Sequence, residues 1–456
     1  MPEKFPPTGA AGLSVVLGPL VVFLLVVASA AQGPYTILNP PPLSDRHFPI
    51  AYYNQQLPNA GSGGPLNHLM PNSANVVGTV MRNGGSSLVT GGGAWNTPGT
   101  DDHQHRPVYY GQASDPVYQV SGCTGPGAFV NGMKFHAPPG ALYNQSDSDE
   151  EIVIWDQPTG NIFQFYNWQG QLSLPACSGT IANPCNYNRS NGYCSAMNRG
   201  SGSGVGAGTG ASTAGLAPMG NIIRIAEIVN AGHINHGIRL VTTCNDTNNG
   251  LYPSKVVFPA NQSGGTPANS CAAAGVSASN RPPNGSLFFL DYTQAQLDCF
   301  DPSKPACSGI NKLASWQFML IEAMTLYGGT IEDTGNGSGL STPGIESEQP
   351  YFFYQTHGYP GAQAQAEAFT NYMNAHCSGA SCSIVTRSAP HSLVQWSINT
   401  WAGISNVNGG DVIAHMHVAD PCVAIGLQGL PGGCVTANAN AGVRPAAPTG
   451  LTRMVK

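Results

Sequence analysis

Short apolar runs broken by Gly, Pro, Asn and Ser dominate this chain, and helical spacing of apolar residues is rare. Strand-like runs bounded by turn formers occupy 107–132 and 151–168, with further strands predicted at 236–243, 255–258, 286–292 and 411–419. Apolar spacing of three and four residues predicts helices at 312–327 and 362–376. Residues 59–100 are rich in Gly, Ser and Asn, and 199–215 reads as a Gly/Ser-rich loop. Strand-like, Cys-bearing segments flank that loop on both sides, which keeps it inside one domain. No repeat of fixed period is present. Many short strands with about two helices predict an all-β fold, a β-sandwich or jelly roll with long disulfide-stapled loops. The expected organisation is a signal peptide over 1–30, an extended Pro-rich lead-in over 31–72, a single sandwich domain over 73–440 and a tail over 441–456.

The segment 148–168 carries the most chemistry. It reads as a hairpin turning at Gln157–Gly160, where Pro158 and Gly160 are turn formers and Asp156 can cap the turn. A four-residue loop sets Trp155 opposite Ile162 and Val153 opposite Gln164. Alternation then places Ile152, Ile154, Phe163 and Phe165 on a core face. The other face collects Asp149, Glu151, Trp155, Gln164, Tyr166 and Trp168. Aromatic rings stack on the C–H faces of sugars, and paired carboxylates supply acid and base for glycosidic cleavage. Asp149 and Glu151, joined by Glu227 from another strand, are the candidate catalytic groups, with Trp155, Gln164, Tyr166 and Trp168 as substrate-binding residues. The alternative is a solvent face held by cross-strand packing. Glu227 is equally open to reading as a helix-turn carboxylate paired with Arg224, and His236 as a core histidine.

Composition narrows the partners. There are 17 Lys+Arg and 23 Asp+Glu in 456 residues, a net charge of −6. So few cations form no basic stripe, which excludes a nucleic-acid binder of that kind. At the N-terminus, Lys4, an apolar run from Leu13 to Val27 and Ala28-Ser29-Ala30 have the layout of a secretory signal. The run is short for a membrane span and is interrupted by Gly18-Pro19, so no membrane partner is expected after cleavage. Twelve cysteines, mostly closely spaced, fit disulfides in an oxidising compartment. Pairing sequential neighbours leaves Cys123 to join one of Cys177, Cys185 and Cys194. Six Asn-x-Ser/Thr sequons, at Asn144, Asn188, Asn245, Asn261, Asn284 and Asn336, fit exposed loops.

Two His-x-His patterns, His103/His105 and His415/His417, place imidazoles on one side of a strand, which suits a shared metal. A third ligand, such as Asp101, Asp420 or a histidine of the other pair, would complete it. No cofactor is expected otherwise, and a single divalent metal is the one possibility. Glu322 lies among apolar residues of the 312–327 helix without a partner that the sequence names.

The stretches Val108–Tyr118, Ser148-Asp149, Ile154–Gly160, Gly232-His-Ile-Asn-His-Gly237 and Tyr327–Asp333 resemble those of secreted microbial β-sandwich proteins without an established activity. The resemblance spans about residues 105–420. It implies one jelly-roll-like domain and assigns no catalytic residue.

The function expected is that of a secreted carbohydrate-active enzyme, a glycoside hydrolase or polysaccharide lyase, cleaving an extracellular polysaccharide by carboxylate acid/base chemistry. A lyase would shift the weight to His and Tyr. The alternatives are a non-catalytic glycan-binding or cell-surface structural protein, and a metal-dependent enzyme using the histidine pairs.

Overall fold

The computed structural model describes residues 56–70, 72–82, 105–106, 108–139, 141, 152–166, 175–198, 221–224, 226–241, 257, 260, 276–310, 312–333, 344–345, 347–348, 371–372, 375–376, 382–386, 394–398, 406–407 and 410–420. Among these residues strand is the commonest regular structure. A six-stranded sheet contains β1 (Val108–Gly111), β2 (Val117–Cys123), β3 (Lys134–His136), β4 (Ile152–Asp156), β5 (Asn161–Tyr166) and β6 (Cys185–Asn198), in the order β1-β4-β5-β6-β2-β3. The β1/β4 and β6/β2 pairs are parallel and the others antiparallel. A five-stranded sheet follows from β7 (Ile238–Val241), β8 (Leu287–Leu290), β9 (Gly329–Asp333), β10 (Gly344–Ile345) and β11 (Met416–Val418), in the order β10-β7-β9-β8-β11. Its one parallel pair is β7/β9.

The β4–β5 hairpin has the register its sequence predicts, with Trp155 opposite Ile162 and Val153 opposite Gln164. Asp156 closes the turn, its side chain accepting from the Thr159 hydroxyl and its carbonyl from Gly160 N at 2.8 Å. Ile152, Ile154, Phe163 and Phe165 are buried as expected.

The six-stranded sheet is curled. Phe135 of β3 lies 5.2 Å from Phe163 and 5.6 Å from Phe165 of β5, centroid to centroid, although β6 and β2 intervene in the hydrogen-bonded order. Tyr187 of β6 meets Phe135 edge-on at 5.6 Å, and Tyr118 stacks on Phe135 at 5.5 Å. This aromatic filling draws the outer strands together at one end. A Cβ on Gly111 of β1 would lie 1.8 Å from the carbonyl oxygen of His136 in β3, so only glycine fits that approach.

Among the described residues, three α-helices, a π-helical turn and short 3₁₀ turns add to the sheets. In α1 (Ser73–Arg82), Val76, Val77 and Val80 are buried. A π-helical turn spans Glu227–Ala231 and ends on Gly232 in the left-handed region. In α2 (Gln294–Phe300), Thr293 and Gln296 cap each other's backbone N–H groups. In α3 (Ser315–Leu326), Trp316, Phe318, Met319, Leu320, Ile321, Ala323 and Met324 are all buried, so the helix is apolar on nearly every side. It lies within the predicted 312–327. Of the predicted 362–376 helix, only four residues fall among those described. The α1 and α2 helices were not anticipated.

Leu57 N donates to Leu326 O at 2.8 Å and Met70 N to Val418 O at 2.9 Å. Residues 57–70, part of the expected lead-in, thus bond to α3 and to β11. The predicted 411–419 strand is interrupted by a 3₁₀ turn over Val412–His415. Disulfides join Cys123–Cys194, Cys177–Cys185 and Cys299–Cys307, in line with neighbour pairing. The first is no loop staple: it ties β2 to β6 with both half-cystines buried.

Candidate functional site

The acid–aromatic face predicted on the hairpin is not an open surface where it is described. Trp155 and Gln164 have no exposed area. Trp155 lies against Tyr110 of β1 at 6.4 Å, and the Arg224 guanidinium covers the Tyr110 ring at 5.9 Å. The segment 221–224 thus lies over this side of the sheet, while the aromatic filling occupies the other. Tyr166 is the last residue of β5. Asp149, Glu151 and Trp168 lie outside the described residues.

Glu227 lies on a helical turn rather than on a strand. It sits buried at the start of the π-helical turn, where its Oε2 accepts from Arg224 N at 2.8 Å and faces His236 Nε2 at 3.1 Å. His236 Nδ1 donates to Gly237 O at 2.7 Å, and the ring is buried. A second buried group lies on one face of β7 and β9: Arg239 is 3.6 Å from Glu332 Oε2, and Asn221 Nδ2 donates to Glu332 Oε1. These carboxylates satisfy internal donors, as buried charges must.

Accessible titratable chemistry gathers instead at the edge of the five-stranded sheet. The antiparallel β8/β11 register sets His417 opposite Phe289, and the next step of the ladder brings Asp291 N to His415 O at 3.1 Å. Met416 and Val418 are buried, so the alternate residues His415 and His417 turn away from the core. Both imidazoles meet one carboxylate. His415 Nδ1 lies 2.7 Å from Asp291 Oδ1, and His417 Nε2 lies 3.0 Å from Asp291 Oδ2. The side chains of His415, His417 and Asp291 are 37, 21 and 21 % exposed.

The surroundings fix these rings. His415 stacks on Tyr292 at 4.4 Å, and His417 leans on Phe289 at 5.5 Å. Burial, assisted by the Asp291 charge, pushes the Tyr292 phenol well above the usual tyrosine range, so it stays protonated. The loop 57–64 packs alongside: a Cβ on Gly64 would lie 2.7 Å from the Phe289 ring, and Gln294 N donates to Gly61 O at 2.7 Å. Sequence reasoning singled out the two histidines but named Asp101, Asp420 or the other pair as their third partner, and missed Asp291. The residue stands directly after the apolar run Leu287–Leu290, where a lone Asp reads as a strand end.

A carboxylate that accepts an N–H from each ring selects its tautomer. It leaves Nε2 of His415 and Nδ1 of His417 as the nitrogens turned away from Asp291. One can take a proton as base while the other, protonated, donates as acid. Among the described residues, no group of three or more His, Cys, Asp or Glu side chains is arranged to hold a metal ion. His103 lies outside the described residues, and His105 belongs to a two-residue strand paired with Ser347–Glu348.

A third cluster closes the six-stranded sheet. His136 Nδ1 lies 2.9 Å from Asp156 Oδ1, both buried. Half-buried Asp115 neighbours them and accepts from Gln112 N at 2.9 Å. Burial raises the carboxyls of both Asp115 and Asp156 above the usual range. At the surface, His233 Nδ1 meets Glu322 Oε2 at 2.6 Å, which supplies the partner missing for Glu322.

Comparison with protein-family models, curated proteins and solved structures finds no match to this chain.

Proposed function

We propose that the protein is an extracellular enzyme that cleaves glycosidic bonds of a polysaccharide by acid/base chemistry, with the proton transfers carried by His415 and His417 on Asp291. The observation that carries this reading is the single part-exposed carboxylate bonded to two part-exposed imidazoles. It replaces the pairing of Asp149, Glu151 and Glu227, the last of which is committed to internal bonds. A histidine pair beside a protonated phenol suits proton abstraction and donation at a uronic acid better than a pair of carboxylates would. The reading assigns the two sheets to the layers of a jelly-roll-like sandwich. Three disulfides, and the absence among described residues of a helix long and apolar enough to cross a membrane, are compatible with secretion.

The test incubates the protein with neutral and uronic-acid polysaccharides and reads products by mass spectrometry, with and without chelator. Unsaturated ends that fall steeply in H415Q and in H417Q support the assignment. Water-added products insensitive to both substitutions overturn the residue roles. Glycan binding without products would favour a non-catalytic glycan-binding or cell-surface role. Activity lost only with chelator would restore a metal-dependent reading.

A further inference from the structure

We infer that Asn188 is a site of N-linked glycosylation and that Asn284, which bears the same sequence signal, is never modified in the folded protein. The inference rests on the extracellular destination proposed above, not on the enzymatic reading. Both residues begin an Asn-x-Ser sequon, Asn188-Arg189-Ser190 and Asn284-Gly285-Ser286. The fold treats them in opposite ways.

Asn188 lies in β6, opposite Ser121 of β2, and is exposed. Tyr187 before it points into the aromatic filling and is buried, while Asn186, two residues back, is exposed and accepts from Ser121 Oγ at 2.8 Å. Gln119 and Ser121 of β2 are partly exposed on the same side. Asn186, Asn188, Gln119 and Ser121 thus form an uncharged, open patch. In β1 and β4, by contrast, every residue is buried on both faces. A bulky hydrophilic group on Asn188 meets water and displaces no core contact.

Asn284 is 1 % exposed and Ser286 is buried. Asn284 O accepts from Val257 N at 2.8 Å, Gly285 N donates to Ile331 O at 2.8 Å, and Ser286 Oγ donates to Pro283 O at 2.7 Å. Even a Cβ on Gly285 would lie 1.9 Å from Val257 O. A sugar on Asn284 leaves no room for this turn to close, so chains modified there do not fold. The other four sequon asparagines lie outside the described residues.

In the transfer, a lipid-pyrophosphate-linked oligosaccharide is the donor. The Asn188 amide nitrogen bonds to the anomeric carbon and gives up one proton, and the lipid pyrophosphate leaves with the electrons of the broken C–O bond. No oxidant or reductant is required.

The test expresses the full chain behind a secretory leader in a glycosylating eukaryotic host and recovers folded protein from the medium or the secretory lumen. Peptide mass spectrometry, before and after enzymatic release of N-glycans, reads each sequon. The expected result is glycan on the Asn188 peptide, an unmodified Asn284 peptide, and loss of one glycan step on gels in N188Q. An unmodified Asn188 peptide, or a glycosylated Asn284 peptide in folded protein, overturns the inference.

Discussion

His136 and Asp156 join strands from different parts of the six-stranded sheet: Nδ1 of the β3 histidine meets Oδ1 of the β4 aspartate at 2.9 Å. Beside them, Gly111 at the end of β1 abuts the His136 carbonyl. The pair therefore fastens the sheet where its outer strands converge. Removing one member leaves the other buried and uncompensated. D156A is expected to lower unfolding free energy by about 3 kcal/mol, and D156N, which keeps an acceptor, by less. Urea unfolding of both variants checks this, and equal losses would count against the bond as the fastening element.

The same cluster sets a pH dependence. Burial raises the carboxyls of Asp115 and Asp156, so between an unfolded value of about 4 and the folded value the folded state binds more protons. Their contribution to stability is greatest at the acidic end and is lost as pH rises through the folded value. D115N removes one of these groups, and its amide oxygen can still accept from Gln112 N. The variant is expected to be more stable than the parent at pH 7 and closer to it at pH 4, as read by thermal unfolding. A parent–variant gap that widens on acidification would contradict the burial argument.

One substitution type, placed twice, separates backbone approach from helix propensity. G111A sets a methyl 1.8 Å from a backbone oxygen that cannot move without opening the β1–β3 junction. A loss of about 3 kcal/mol or failure to fold is expected. Gly78 lies inside α1, where an added Cβ meets nothing within 4 Å. There alanine should stabilise by about 0.5–1 kcal/mol. Guanidinium midpoints for the two variants should move in opposite directions.

How much of this the sequence carried depends on the range of the interactions. The β4–β5 register follows from alternation and the Asp156–Gly160 turn, both local, and it reads correctly. The fate of its second face depends on Asn221–Arg224 arriving from some sixty residues away, so Trp155 and Gln164 looked like a platform. In α1, the Val76, Val77 and Val80 spacing was visible, but glycine and asparagine around it masked the helix. His415 and His417 were legible because i and i+2 share a side. Asp291 was not, because only the β8/β11 pairing brings it across more than 120 residues, at separations of 124 and 126.

That pairing supports the last prediction, made on the proposed acid/base role. Asp291→Asn keeps the side chain's shape but leaves one acceptor where the carboxylate has two. One imidazole then faces an NH₂ donor and must present a lone pair to it, which reverses its tautomer. The nitrogen turned away from residue 291 becomes protonated in the neutral ring, so that histidine no longer serves as base. Product formation from the responsive polysaccharide is expected to fall by about a hundredfold or more, while unfolding free energy stays within about 1 kcal/mol because the pair is part-exposed. H415Q and H417Q should alter opposite limbs of the pH–rate profile if one ring is base and the other acid. Full activity in D291N, with the parent pH profile, would remove Asp291 from the mechanism and with it the reason for treating the two histidines as a unit.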